Sequence, residues 1–148
     1  MILITGATGF LGKEVLGRLL VRGATDKIFT LVRKTKEREA QSELEIQREI
    51  LLSIFPEEEA SKYQDKLQVI FGDIKEENFG IGLGSFQELA AKTDAVYHLA
   101  AVTNLGSSLI EARENNLQGT LNVLSFCHAS KENQARKSPI KLFHVSTA

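Results

Sequence analysis

The sequence is poor in the residues that build disulfides and metal sites. A single cysteine, Cys127, excludes an internal disulfide, which suits a reducing compartment, and the expected location is cytoplasmic. The three histidines, His98, His128 and His144, do not fall at zinc-type spacings with cysteine. The composition therefore argues against a secreted disulfide scaffold and predicts no metal site.

The sequence also lacks an excess of one charge and any long hydrophobic run. Its 18 basic and 19 acidic residues leave a formal net charge of -1, so no general field favours nucleic acid or an anionic membrane. The apolar run at residues 1–5 has no basic segment before it and is too short for a signal peptide or a membrane span. At 148 residues, with 43% hydrophobic and 25% charged, the chain resembles one ordinary globular domain covering residues 1–148.

Short apolar runs alternate with segments of helical periodicity along the chain. Strands are predicted at residues 1–5, 27–33, 67–71, 94–100 and 140–145. Helices are predicted at residues 10–22, within the charged segment 34–66 before Pro56, and at residues 86–92 and 109–130. Residues 78–85 and 131–138 are predicted loops. This alternation predicts an α/β fold, a Rossmann-type doubly wound parallel sheet of about five strands. The inward residues expected on the last helix are Ala112, Leu117, Val123, Leu124 and Cys127.

A glycine-rich turn directly follows the first strand and opens the first helix. In this context Gly6 permits a tight turn, Gly9 lets a pyrophosphate approach the backbone, and Gly12 lets the helix pack closely on the sheet. The helix N-terminus adds unpaired N–H groups for the anion. The alternative is a glycine turn without a ligand, but the surrounding strands and helices favour a dinucleotide site. Its expected contacts are Gly6, Thr8, Gly9, Phe10, Leu11 and Gly12.

The end of the second strand indicates which dinucleotide is bound. NAD-selective domains carry an acidic residue about twenty positions past the glycine turn, where it binds the ribose 2′-hydroxyl. Here the strand ends with Arg33 and Lys34. A guanidinium can bind a 2′-phosphate with two hydrogen bonds, so the sequence predicts NADP(H) as cofactor. The alternative is a pair of solvated surface charges.

Other residues fall at the carboxyl ends of strands, where ligands of open parallel sheets bind. Asp73 could accept a hydrogen bond from the adenine amine or serve only as a loop carboxylate, and Ile74 follows it. Small residues after the fourth strand would let the backbone approach the nicotinamide ribose. A polar role facing this edge is expected for Asn116, although Asn115 beside it leaves the choice open. The residues expected after the fourth strand are Leu99, Ala100 and Ala101.

Both strand histidines, His98 and His144, are interpreted as packed or backbone-bonded core residues and not as catalysts.

The whole chain resembles the nucleotide-binding half of thioester reductases, which belong to the extended short-chain dehydrogenases/reductases and include fatty acyl-CoA reductases of the male sterility type. The wide three-and-three spacing of the glycines is typical of that superfamily, and the long charged segment after the second strand fits thioester reductases. The matching segments are residues 6–12, Leu31-Val32-Arg33, Gly72-Asp73-Ile74, Leu99-Ala100-Ala101, residues 116–120 and residues 143–148.

The resemblance implies an acyl thioester on coenzyme A or on a carrier protein, reduced by NADPH to an aldehyde or alcohol. It also implies a catalytic Ser/Thr, Tyr and Lys, and by position the hydroxyl residue is Thr147, with Ser146 as second choice. Tyr63 and Tyr97 are not followed by lysine four places on. The chain therefore looks like a fragment without its substrate domain. This fragment is expected to bind cofactor and not to turn over substrate.

Two other functions are compatible with the same pattern. One is an NADP-dependent sugar-nucleotide epimerase or dehydratase of the same extended fold, and the other is a non-catalytic module that senses NADP(H). Because an isolated half would expose an edge strand and apolar surface, self-association or marginal stability is also expected.

Overall fold

The computed structural model describes residues 1–104, 106–132 and 139–146, with the side chains of residues 130–132 excepted. Its five strands are β1 (Ile2–Thr5), β2 (Ile28–Val32), β3 (Leu67–Phe71), β4 (Ala95–His98) and β5 (Lys141–His144). They form one sheet in the order β3-β2-β1-β4-β5, and all four neighbouring pairs are parallel. The order steps outward from β1 in both directions, which confirms the predicted doubly wound Rossmann-type sheet.

The helices connect the strands. They are α1 (Phe10–Val21), α2 (Glu43–Leu52), α3 (Glu57–Ala60), α4 (Leu83–Lys92), α5 (Leu109–Ala112) and α6 (Gly119–Glu132). Shorter turns of helix lie at Lys36–Arg38, Ser61–Tyr63 and Glu77–Gly80. A capping box fixes the start of α2, because Ser42 Oγ accepts from Glu45 N and the Glu45 carboxylate accepts from Ser42 N.

Alternating residues of β1, β2, β3 and β4 supply two separate cores. On one face, Ile2 and Ile4 of β1 pack with the buried side of α1 and α2. On the other face, Leu3 packs with α4 and α6. Three rings close this second core, with centroid separations of 5.1 to 5.3 Å among Phe79, Phe86 and Phe126. A sheet covered on both sides explains why its central strands read as continuous apolar runs.

The last predicted helix is interrupted. A π-helical turn at Arg113–Gln118 separates α5 from α6. Because a π-helical turn takes extra residues, it changes which side chains face inward after it. Val123 is buried as predicted, Phe126 is buried without having been predicted, and Leu117 and Leu124 are exposed, so the prediction for these two leucines was wrong.

The segment before α4 is more ordered than its glycine content suggested. Residues 78–85 were predicted as a loop, yet α4 begins at Leu83. Asn78 and Phe79 have φ of 51° and 58°, the left-handed region that side chains normally avoid. The complete burial of the Phe79 ring in the second core offsets the cost of this backbone.

Candidate functional site

The carboxyl ends of the strands open into a cleft of about 310 Å³. Its walls come from the loops that follow β1, β2, β3 and β4, as expected for the reversal of strand order next to β1. The predicted residues on its lining are Gly6, Thr8, Gly9, Arg33, Asp73, Ile74, Leu99, Ala100 and Ala101. Those that were not predicted include Thr5, Thr35, Arg38, Val102 and Asn115.

The glycine turn is so tightly folded that side chains would collide with its backbone. Gly6 has φ of 76°, and a Cβ there would lie 2.6 Å from the Ala100 nitrogen. A Cβ on Gly12 would lie 1.9 Å from the Gly6 carbonyl oxygen. Gly12 thus permits close packing of α1 on the turn itself, where the sequence had suggested packing on the sheet.

Gly9 precedes the helix in an extended conformation, and α1 has no side-chain cap at its N-terminus. The first N–H groups of a helix lack partners within the helix, so those of Phe10, Leu11 and Gly12 are available to an anion. The side chains of Phe10 and Leu11 are exposed and do not line the cleft. These two residues can therefore contribute to the site through backbone groups.

The two basic residues at the end of β2 have different surroundings. Arg33 lines the cleft, and no carboxylate of the described residues pairs with it. Lys34 does not line the cleft, since its Nζ lies over the Phe71 ring, 5.3 Å from the centroid. Arg38 does line it, held by a 3.0 Å ion pair to Glu49 of α2. No sequence pattern indicated Arg38, because only the turn at Lys36–Arg38 brings it back toward the cleft.

Asp73 and Ile74 occupy the wall beyond β3. Asp73 Oδ1 accepts a hydrogen bond from the Lys75 backbone nitrogen at 3.0 Å, which is the loop-carboxylate role left open by the sequence. The residue also lines the cleft, so its contact with adenine stays a prediction. Ile74 is buried, and a Cβ on Gly119 would lie 2.7 Å from its Cδ1.

The two adjacent asparagines of the π-helical turn have different partners. Asn115 is buried on the cleft, and its Nδ2 donates to the Glu111 carbonyl at 2.8 Å. Asn116 lies away from the cleft lining. Its Oδ1 accepts from Val102 N at 2.8 Å, and its Nδ2 donates to Val102 O at 3.0 Å. The structure therefore places Asn115 on the cleft, whereas Asn116 holds the backbone of Val102 in the cleft wall through two hydrogen bonds.

His98 is a core residue, as predicted, but its partners are side chains. Its Nδ1 lies 2.7 Å from Thr5 Oγ1, and its Nε2 lies 3.1 Å from Thr120 Oγ1. Burial, together with the nearby His144, lowers the pKa of His98 to about 4, so the ring is neutral at neutral pH.

The core interpretation of His144 was wrong. It is exposed and stacks on the His98 ring with 5.0 Å between centroids. The reason is the position of β5 at the end of the strand order, where its outer side has no neighbouring strand among the described residues. The predicted catalytic Thr147 lies outside the described residues, and Ser146 is exposed.

A parallel sheet, a glycine turn opening α1 and a cleft at the strand ends define a dinucleotide-binding domain. The model of the male sterility protein family matches residues 4–148, and the chain belongs to this family. Fatty acyl-CoA reductase 2 of Homo sapiens is 29% identical over 148 residues, which cover 99% of this chain and 28% of that protein.

Two solved structures superpose on nearly the whole chain. The terminal R domain from the myxalamid PKS-NRPS biosynthetic pathway has a TM-score of 0.74 and 33% identity over 99% of this chain and 34% of that one. A thiolation-reductase di-domain from an archaeal non-ribosomal peptide synthetase has a TM-score of 0.74 and 28% identity over 99% of this chain and 28% of that one. The human relative is named as a reductase, and the archaeal structure is named as a thiolation-reductase di-domain.

The chain spans about a quarter to a third of the length of these relatives. Within the described residues, no helix combines the length and apolar character needed to cross a bilayer.

Proposed function

We propose that residues 1–148 form the NADP(H)-binding part of a reductase that acts on acyl thioesters. The observation that carries this proposal is the glycine turn, where Gly6 and Gly12 have no room for a side chain and Gly6 and Gly9 line the strand-end cleft directly before α1. Bare backbone on the cleft lining lets a diphosphate approach closely, and the helix N-terminus supplies the matching partial charge. Membership of a family with reductase relatives supports the assignment of this dinucleotide to redox chemistry.

The proposed substrate is an acyl group carried as a thioester by coenzyme A or by a carrier protein. This rests on the relatives, one named as an acyl-CoA reductase and another joined to a thiolation domain. When bound, NADPH would supply the hydride that reduces the acyl group to an aldehyde or alcohol. Thr147 is the proposed hydroxyl that hydrogen-bonds the reacting carbonyl, and its place lies outside the described residues.

Residues 1–148 contain no tyrosine followed by lysine four places later, since Tyr63 and Tyr97 are followed at that position by Leu67 and Ala101. We therefore expect these residues by themselves to bind the cofactor without reducing substrate. A cytoplasmic location is part of the proposal and rests only on the low cysteine content.

Two guanidinium groups, Arg33 and Arg38, support the choice of NADP(H) over NAD(H). Arg33 lines the cleft and forms no ion pair with a carboxylate in the described part of the chain, so its donors are available for a 2′-phosphate. Arg38 contributes less, because Glu49 already neutralises part of its charge. Lys34 is assigned no cofactor contact in this proposal, because its ammonium group lies over Phe71.

Calorimetric titration with NADPH and NADH tests both levels of the proposal. NADPH is expected to bind at least about tenfold more tightly than NADH. Arg33→Ala is expected to weaken NADPH binding by about tenfold or more, which is the size of a lost charge-assisted hydrogen bond. The affinity for NADH should stay unchanged in this variant. Lys34→Ala is the matched control and should change neither affinity.

Equal affinity for the two nucleotides in the unmodified protein would contradict the choice of NADP(H). Absence of heat with both nucleotides, on protein shown to be folded by circular dichroism, would contradict the cofactor site itself.

The chain also exposes apolar side chains on two elements, and we propose that it self-associates through them. Leu117 of the π-helical turn and Leu121 and Leu124 of α6 are exposed, and Phe143 and Val145 lie on and just after β5. Where exposed apolar side chains form a contiguous patch, the patch is typical of a surface that binds protein.

A further inference from the structure

A continuous series of hydrogen bonds runs behind the cleft, with the His98 ring at its centre. Ala100 N donates to Thr5 Oγ1 at 3.4 Å, and Thr5 Oγ1 lies 2.7 Å from His98 Nδ1. On the other side of the ring, His98 Nε2 lies 3.1 Å from Thr120 Oγ1, which donates to the Asn116 carbonyl at 2.7 Å. The series thus joins β1 and β4 to the long helix beyond them.

The partners at the two ends determine where every proton lies. A backbone carbonyl only accepts, so the Thr120 hydroxyl must donate to Asn116 O. The Thr120 oxygen is then left to accept from His98, which places the ring proton on Nε2. His98 Nδ1 is consequently an acceptor, and the Thr5 hydroxyl donates to it. One neutral tautomer of His98 satisfies the whole series.

Residues at the two ends of this series, Thr5 and Asn116, hydrogen-bond to the loop at residues 99–102, which forms one wall of the cleft. Ala100 is held by Thr5, the residue that leads into the glycine turn, and Val102 is held by both polar atoms of the Asn116 side chain. The loop also lies directly against Gly6, where a Cβ would come within 2.6 Å of the Ala100 nitrogen. A small movement of this loop would therefore change the space beside the turn.

We propose that His98 is a positioning residue, which in its neutral Nε2–H tautomer sets the distance between the 99–102 wall and the glycine turn and so prepares the cleft for the dinucleotide. The inference rests on the proposed cofactor function and assigns His98 no contact with the cofactor, since His98 is absent from the cleft lining. Its neutral state agrees with the direction of its pKa, which burial lowers.

The test breaks the series at Thr120, which does not line the cleft. Thr120→Val keeps the shape and removes the hydroxyl, so His98 Nε2–H loses its acceptor. We expect nitrogen-15 NMR to show the Nε2–H tautomer in the unmodified protein and a mixture of tautomers in Thr120→Val, together with about tenfold weaker NADPH binding. Thr120→Ser should restore both properties, which separates a positioning role from general loss of packing.

Ser125→Ala is the matched control, because Ser125 on the same helix donates to the carbonyl four residues earlier, at 3.1 Å, without contacting His98. It should change neither tautomer nor affinity. A second variant, Asn116→Asp, replaces the donor to Val102 O by a carboxylate oxygen and leaves the Asn116 carbonyl in place. We expect it to weaken NADPH binding with the Nε2–H tautomer unchanged.

The outcomes separate this inference from the proposed function. Tight NADPH binding by the unmodified protein, with the same affinity in Thr120→Val, would overturn the positioning role and leave the cofactor site standing. An Nδ1–H tautomer in the unmodified protein would overturn it as well, whether or not Thr120→Val folds. Failure of the unmodified protein to bind NADPH would overturn both.

Discussion

At the scale of single residues, two buried threonines differ in one respect. Both Thr30 and Thr93 are fully buried. Thr93 Oγ1 donates to the Leu89 carbonyl at 2.8 Å, whereas Thr30 Oγ1 has no hydrogen-bond partner in the described part of the chain. A buried hydroxyl without a partner lowers stability, since it has lost its bonds to water.

Thr30→Val should therefore raise the free energy of unfolding by about 1 kcal/mol, because a methyl group replaces the unpaired hydroxyl at nearly the same volume. Thr93→Val, the control, should lower it by about 1 kcal/mol through loss of a satisfied bond. Urea unfolding of both variants measures the difference. A loss of stability in Thr30→Val would show that its hydroxyl does have a partner in solution.

His98 predicts how stability changes with pH. Its folded-state pKa is lowered to about 4, whereas the ring of an unfolded chain binds a proton below about pH 6.5. The unfolded state thus binds more protons between these values, so the contribution of His98 to stability is complete above about pH 7 and is lost as the pH falls toward 4. The nearby exposed His144 adds to the lowering.

Between about pH 7.5 and about pH 5, the free energy of unfolding should fall by about 2 kcal/mol through His98. His98→Gln should show a correspondingly smaller fall, and His128→Asn, which changes an exposed histidine, should behave as the unmodified protein. Urea unfolding at both pH values gives the comparison. An equal fall in His98→Gln and the unmodified protein would assign the effect to other groups.

At the scale of elements, the joint between β1 and α1 is the most constrained part of the fold. Gly12→Ala would place a methyl group 1.9 Å from the Gly6 carbonyl, so turn and helix must separate. We expect a loss of several kcal/mol of stability, about 2 to 4, and loss of NADPH binding. The measurements are thermal unfolding and calorimetric titration.

Gly84→Ala is the control, because Gly84 also lies in the first turn of a helix but has no described atom within 4 Å of its Cβ position. It should keep or raise stability by up to about 1 kcal/mol through better helix propensity. Equal behaviour of the two variants would contradict the packing described for Gly12.

At the scale of the whole molecule, the exposed leucines of the last helix predict concentration-dependent association. Sedimentation equilibrium should give an average mass above the 16.4 kDa of one chain. The double change Leu121→Lys and Leu124→Lys should reduce that mass, since it places charge on the apolar stripe. Leu44→Lys, which changes an exposed leucine on α2, should leave it unaltered. A constant monomer mass at all concentrations would contradict self-association.

The features that depend on a local residue pattern were predicted from the sequence. The features that depend on contacts between residues far apart in the chain were missed. The five strands and the glycine turn were recognised from short apolar runs and from Gly6, Gly9 and Gly12. Arg38, however, reaches the cleft only through a short turn and an ion pair to Glu49 on another helix. No local pattern encodes such a pairing.

The sequence by itself determined a parallel α/β sheet with a bare-backbone bend before the first helix, because apolar period and glycine content act over a few neighbouring residues. Only the tertiary structure decided which asparagine lies on the cleft, which second basic side chain lines it together with Arg33, and which residues hydrogen-bond to His98. These choices depend on the π-helical turn, the Phe71 ring and two threonines that lie on separate elements. Their positions follow from packing across the sheet, and sequence spacing does not specify them.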